Sequence, residues 1–71
     1  MVAKSKTLAD ALREARAKLG HTQEDAARAL RCSWNSVARW ETGMRSPTGL
    51  YLDAVKRYLR RAGVDLPKGQ S

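Results

Sequence analysis

Apolar residues recur every three or four positions through most of this 71-residue chain, in four segments that short polar breaks separate. This spacing is the period of a helix that buries one face, so each segment is predicted to be an amphipathic helix. The predicted helices cover residues 8–19, 23–30, 33–43 and 47–61. The larger apolar residues available for a core are Leu8, Leu12, Leu19, Leu30, Val37, Trp40, Leu50, Leu52, Val55, Tyr58 and Leu59. The pattern predicts a compact all-α domain of four to five helices.

Local signals mark the ends of these helices. Two threonine N-caps have an aspartate three residues on, in a variant of the capping box. The predicted N-caps are Thr7, Thr22, Ser33 and Ser46, and the two aspartates are Asp10 and Asp25. Pro47 suits the first position of the fourth helix. A glycine follows the first, third and fourth helices, where a left-handed residue is favoured; these are Gly20, Gly43 and Gly63.

Only Arg31, Cys32 and Ser33 separate the second helix from the third, so this part of the chain is predicted to be a helix, a tight turn and a helix. Val37 and Trp40 are predicted to face the core. The opposite face of the third helix presents Trp34, Asn35, Ala38, Arg39 and Thr42. Asparagine pairs with adenine and arginine with guanine in the major groove, so this face suits the reading of DNA. The alternative is an ordinary solvated face, on which the tryptophan only covers neighbouring side chains.

The charge balance favours a polyanionic partner. Fourteen Lys and Arg against seven Asp and Glu leave a formal net charge of +7, and nucleic acid is the simplest partner for such a surface. An anionic membrane surface is the weaker alternative. No segment is predicted to span a bilayer or to be a signal peptide. Cys32 and His21 are the only cysteine and histidine, so neither an internal disulfide nor a zinc site is expected. Nothing suggests a catalytic set or a cofactor.

The residues Gln23, Ala27, Val37, Trp40, Glu41 and Gly43 carry a family resemblance. The run TQEDAARAL, followed by SVARWETG and RSP, resembles the helix-turn-helix of the lambda-repressor/Cro family, also called the xenobiotic-response-element family. The resemblance covers about residues 8–59 and implies a lambda-repressor-like fold with a central helix-turn-helix. One position departs from the family pattern, because Arg31 stands in the turn where the family usually has glycine. A left-handed arginine there would cost about 1 kcal/mol.

The resemblance also implies roles for individual residues. Base contacts are expected from Trp34, Asn35, Ala38 and Arg39. Phosphate contacts are expected from Thr22, Gln23, Ser33, Ser36, Thr42, Met44 and Arg45. Arg16 and Glu41 are expected to form a partly buried ion pair; otherwise both charges are solvated, where such a pair contributes little.

We therefore predict a sequence-specific DNA-binding transcriptional regulator, a repressor of phage or bacterial type, that reads the major groove with helix 33–43. It would be cytoplasmic and nucleoid-associated, and it would bind double-stranded DNA as a homodimer. Residues 1–6 would be a flexible basic arm, 7–63 the DNA-binding domain, and 64–71 a tail whose Val64 and Leu66 join the dimer contact.

Two alternatives are open. The stretch WETGMRSPTGLYL resembles antitoxins of this fold that repress their own operon, which would add a toxin as partner. The chain could instead be a protein-interaction module that has the fold but has lost DNA binding. An enzyme is the least favoured class.

Overall fold

The computed structural model describes residues 7–65, and within them the chain forms four α-helices and no strand. The helices are α1 (Leu8–Leu19), α2 (Gln23–Leu30), α3 (Trp34–Thr42) and α4 (Gly49–Ala62). The all-α prediction is confirmed. The predicted arm, residues 1–6, and most of the predicted tail, residues 66–71 with Leu66, lie outside the described residues.

The N-caps of the first three helices are those predicted from the sequence. In α1 the Asp10 N–H donates to the Thr7 hydroxyl at 3.1 Å, and the Thr7 N–H donates to the Asp10 carboxylate at 3.5 Å. Thr22 and Asp25 repeat this capping box at the start of α2, with distances of 3.1 and 3.0 Å. Such reciprocal bonds satisfy amides that a helix start would otherwise leave unpaired.

One core joins the four helices. The largest side chains that are entirely buried are Leu12, Val37, Val55 and Leu59, so every helix except α2 contributes at least one of them. The buried residues of α2 are Ala26, Ala27 and Leu30. Small side chains at two of these three positions let α2 approach α3 and α4 closely. As a result, α3 packs on both α1 and α2, and its position is determined from two sides.

The start of α4 differs from the prediction. The helix begins after Thr48 rather than at Ser46 and Pro47, and no side chain caps it. The physical reason is that Pro47 is buried in the turn that follows α3, so its ring packs as part of the loop.

Two predictions about the C-terminal half of the core are corrected, for Leu50 and Val64. Leu50, counted among the core residues, is 85% exposed, whereas Tyr58 of the same group is only 4% exposed. Val64 is buried in the core of its own chain. The Val64 N–H donates to the Leu59 carbonyl at 2.9 Å, which folds the chain back beyond α4 and brings this side chain inward.

Candidate nucleic-acid interface

The turn between α2 and α3 contains a strained arginine. Arg31 has φ 59° and ψ 47°, and among residues 7–65 it is the only non-glycine residue with a positive φ. The N–H of Cys32 donates to the Ala27 carbonyl at 2.9 Å, which closes the end of α2. Arg31 therefore adopts the left-handed conformation that a glycine would adopt without strain. Burial raises the pKa of the Cys32 thiol, so its thiolate is less populated near neutral pH than that of a free cysteine.

The outer face of α3 is open to solvent. Trp34 is 51% exposed, Asn35 and Arg39 are exposed, and Ala38 lies half-buried between them. Asn35 and Arg39 are one helical turn apart and so project from the same side. Within residues 7–65 their side chains make no hydrogen bond or ion pair. Both side chains are thus available to an external partner.

The inner face of α3 is anchored through a buried carboxylate. Glu41 is 3% exposed, and it accepts hydrogen bonds from two other helices. Arg16 of α1 donates from Nε to Oε2 at 2.7 Å and from Nη2 to Oε1 at 3.0 Å. Gln23 of α2 donates from Nε2 to Oε1 at 3.1 Å. The structure therefore contains the Arg16–Glu41 ion pair, and the bond to Glu41 raises the pKa of Arg16.

A second arginine of α1 holds the same residue of α3 by its backbone. Arg13 donates from Nη1 to the carbonyl oxygen of Glu41 and from Nη2 to the Asp10 carboxylate. Arg13 lies off the apolar stripe of α1, so helical spacing alone assigns it no contact. The available signal was its position three residues before Arg16, which places both guanidinium groups on one side of α1.

The loop before α2 also makes a contact that the sequence did not reveal. His21 Nδ1 lies 2.8 Å from the Tyr58 hydroxyl, and the two rings are stacked with centroids 5.9 Å apart. Arg16 Nη1 donates to the His21 carbonyl at 3.2 Å. The start of α2 is thereby attached to α1 and α4, and His21 acts as a structural residue.

Most residues expected at phosphates already have structural roles. Thr22 caps α2, Ser33 caps α3 and is hydrogen bonded to Ser36, and Gln23 is bonded to Glu41. The Thr42 hydroxyl donates to the Arg39 carbonyl at 3.0 Å and accepts from the Met44 N–H at 3.4 Å. Arg45 is exposed, and its N–H donates to the Arg39 carbonyl at 3.3 Å. These bonds fix the positions of the groups within the protein. The expected phosphate contacts stay predictions.

Between residues 7 and 65, no helix has both the length and the low polarity required to cross a bilayer. The same residues contain no group of histidine, cysteine and acidic side chains that could hold a metal ion.

Comparison with known proteins gives one consistent result. The family model for the helix-turn-helix domain matches residues 7–68. The HTH-type transcriptional regulator DicA of Escherichia coli (strain K12) is 40% identical over 60 residues, which cover 84% of this chain and 44% of that relative. The chain thus spans less than half the length of the curated relative it matches. No solved structure matches it.

Proposed function

Since the chain belongs to the helix-turn-helix family, we propose that it is a sequence-specific DNA-binding transcriptional regulator that represses its target. In this proposal α3 lies in the major groove and its outer face reads the bases. Asn35 and Arg39 hydrogen bond to base edges, while Trp34 and Ala38 make apolar contacts, as with a thymine methyl.

The charge distribution of α3 is the observation that carries this proposal. Glu41 is the only acidic residue of the helix, and it is turned inward and neutralised by Arg16. The outer face therefore presents polar and cationic groups but no carboxylate that would repel phosphate. Anchoring by α1 and α2 also holds this face rigid, so little ordering is needed when DNA binds.

Phosphate contacts would orient α3 in the groove. Arg45 is exposed just beyond the end of α3, and Thr22, Gln23 and Ser33 lie at the starts of α2 and α3. Helix starts favour anions because of their unpaired amides and the helix dipole. We assign Thr22, Gln23, Ser33, Ser36, Thr42, Met44 and Arg45 to this positioning role.

The proposal extends to assembly and location. A symmetric homodimer would read two half-sites on the order of 34–36 Å apart. A protein that reads bacterial or phage DNA would act in the cytoplasm, at the nucleoid. The antitoxin interpretation adds a toxin as second partner; it stays a prediction, and a neighbouring gene for a small toxin would favour it.

Selection from a randomised duplex pool tests the function directly. We expect enrichment of one sequence that the protein binds far more tightly than a scrambled duplex. A salt titration on both duplexes shows how much of each affinity comes from phosphate contacts. Equal binding to both duplexes with a steep loss in salt would mean binding driven by charge only. No binding at low salt would favour the protein-interaction alternative.

Arg39→Ala tests the assignment of the reading face. Loss of a base contact should cost about 1–3 kcal/mol of binding free energy and relax selectivity at one base pair. Arg28→Ala is the matched control, because Arg28 is an exposed arginine of α2 outside this face. Equal weakening on every sequence, measured by fluorescence anisotropy on the selected site and its single-base variants, would contradict a base-reading role.

A further inference from the structure

The solvent-facing side of the second half of α4 carries four cationic residues, which we call the α4 cationic face. They are Lys56, Arg57, Arg60 and Arg61. The three arginines are exposed and the lysine is half-buried. Within residues 7–65 none of the four forms an ion pair or a side-chain hydrogen bond. Their charges are therefore not neutralised by the part of the chain that the structure describes.

The stability of α4 does not account for this arrangement. Lys56 and Arg60 are four residues apart, as are Arg57 and Arg61, and like charges at this spacing destabilise a helix. The helix dipole favours cations only in the last turn, which contains Arg60 and Arg61. Lys56 and Arg57 lie before that turn and receive no such support. The face is instead complementary to an anion outside the domain.

An open groove borders this face at the end of α4. It forms because the Val64 N–H donates to the Leu59 carbonyl at 2.9 Å, which turns the chain back beyond the helix. Leu59 and Val64 are at most 6% exposed, so the floor of the groove is apolar but nothing projects from it. The groove is lined by Lys56, Leu59, Arg60, Gly63, Val64 and Asp65. Two cations on one wall suit a carboxylate.

We propose that the α4 cationic face binds an acidic segment of a partner polypeptide. One carboxylate lies in the groove beside Lys56 and Arg60, and others lie along Arg57 and Arg61. This binding goes beyond the proposed function and does not depend on it. Exposed charge pairs are individually weak and are screened by salt, so the complex is weak and sensitive to salt.

Two aspartates at the ends of the face favour a short segment over a second DNA duplex. Asp53 precedes the face by three residues and Asp65 follows it by four, and both are exposed. Duplex DNA carries one charge per about 1.7 Å of its axis, so a duplex lying along α4 would set phosphates against both aspartates. An acidic segment can end between them and place neutral or basic residues opposite them.

The chain itself does not supply such a segment. Nowhere in the sequence do more than two acidic residues adjoin, and residues 66–71 contain a lysine and no acidic residue. Four of the seven acidic residues are already in ion pairs within the domain; these are Asp10, Glu14, Asp25 and Glu41. A second copy is therefore a poor occupant of the face, and a different, acidic polypeptide is a good one.

The face also points away from the DNA that α3 would read. Tyr58 projects from α4 towards the start of α2, where its hydroxyl lies 2.8 Å from His21 Nδ1. At about 100° per residue, Lys56 and Arg60 stand about 160° around the helix from Tyr58. Under the proposed function the start of α2 is the side that meets phosphates. The acidic segment can thus be bound while the protein is on its operator.

A fluorescent oligoglutamate peptide tests this binding by anisotropy. Wild type should bind the peptide saturably at low salt and more weakly as salt is added. Lys56→Gln combined with Arg60→Gln should weaken binding about fivefold or more. The variant should keep the helical circular-dichroism spectrum of the wild type, because both changes are made on the solvent-facing side of α4.

Lys18→Gln combined with Arg28→Gln is the matched control. It removes the same charge from exposed positions of α1 and α2, outside the face. The control should change the affinity for the peptide by less than about twofold. Equal weakening by the two variants, or no saturable binding by the wild type, would overturn the proposal.

The same pair of variants distinguishes a polypeptide from nucleic acid as the occupant. On a scrambled duplex, the α4 variant should bind no more weakly than the control variant, because the two have equal net charge and neither lacks a phosphate contact. A loss on the duplex as large as the loss on the peptide would assign the face to a nucleic-acid backbone and overturn an acidic polypeptide as its partner.

Saturation with the selected duplex separates this face from the outer face of α3. The peptide should bind the DNA-bound protein within about threefold of its affinity for the free protein. Displacement of the peptide by the duplex would place the peptide on α3 and contradict the proposal. Failure to select any duplex would overturn the proposed function and leave the peptide results unaffected, so the two failures are distinguishable.

Discussion

A single residue of the turn stores strain that the fold tolerates. Arg31 keeps a left-handed backbone although its side chain is exposed and has no bond within residues 7–65 that would compensate. Arg31→Gly should therefore raise the free energy of unfolding by about 1 kcal/mol, since glycine adopts this conformation without a Cβ clash. Urea denaturation followed by circular dichroism measures the change.

Ala29→Gly is the companion variant for this measurement. Ala29 is exposed in the last turn of α2 with a helical backbone, so glycine there should lower stability by about 1 kcal/mol. A drop in stability for Arg31→Gly as well would show that the arginine side chain contributes more than its backbone costs.

The capping aspartate of α2 gives the domain a defined response to acid. The Thr22 N–H bonds to the Asp25 carboxylate and holds the pKa of that group below its usual value of about 3.9. A lowered pKa in the folded state means that the unfolded chain binds a proton more readily. The stabilisation by this charge is therefore full above about pH 4 and is lost as the pH falls through the lowered folded pKa.

Asp25→Asn removes this titration while leaving an oxygen that can still accept from Thr22. The stability difference between wild type and Asp25→Asn should be largest near neutral pH and should shrink on acidification through the window below about pH 4. Urea unfolding at a series of pH values measures it. A difference that stays constant with pH would show that the carboxylate charge plays no part in the cap.

At the scale of whole helices, α3 depends on one buried carboxylate that α1 and α2 share. Glu41→Gln removes the charge but keeps the size, so the bonds from Arg16 and Gln23 lose their charged acceptor. We expect a loss of about 2–4 kcal/mol in unfolding free energy, measured by denaturant titration. For a domain this small, such a loss is a large part of the total.

Glu24→Gln serves as the comparison, because Glu24 is exposed on α2 and should tolerate the change within about 0.5 kcal/mol. A double variant with Arg16→Met and Glu41→Leu should cost less than the two single changes added together, since no unpaired charge stays buried. Additive losses would mean that the pair is not coupled.

The sequence predicts those elements whose ends are set by local chemistry. The bounds of α1 and α2 agree with the predicted bounds because a threonine and an aspartate three residues apart form a capping box with no help from the rest of the fold. The start of α4 could not be predicted in this way, because the burial of Pro47 depends on the turn after α3 packing onto other helices.

The residues of the candidate site also fall into two groups, those that the sequence could assign and those that it could not. Periodicity places Asn35 and Arg39 on the outer face, and the family resemblance implies the Arg16–Glu41 pair, but Arg13 and His21 could not be assigned. Their partners lie 28 and 37 residues away along the chain. Contacts of this kind depend on how helices are arranged in space, which helical spacing does not report.

At the scale of the whole molecule, the positive charge of the protein should raise its association rate with DNA. Arg60 and Arg61 are exposed near the end of α4. Replacing both by glutamine should lower the association rate severalfold at low salt through weaker electrostatic steering, while the ratio of specific to scrambled binding stays the same. Stopped-flow fluorescence across a salt series measures both quantities.

The comparison for this variant is Arg39→Ala, for which the ratio should change more than the rate. If the α4 variant also lost selectivity, α4 would be in contact with the DNA. A rate that did not respond to salt in the wild type would remove steering as the explanation.

The separation of the two faces of α3 has a consequence for how such a protein diverges. Glu41, Val37 and Trp40 hold the helix in place, whereas the side chains of Asn35 and Arg39 make no hydrogen bond or ion pair within residues 7–65. If the outer face reads bases as proposed, substitutions at these positions would change the preferred operator at almost no cost in stability. After a gene duplication, two copies can acquire separate targets through a few single-residue steps, each of which passes through a folded protein.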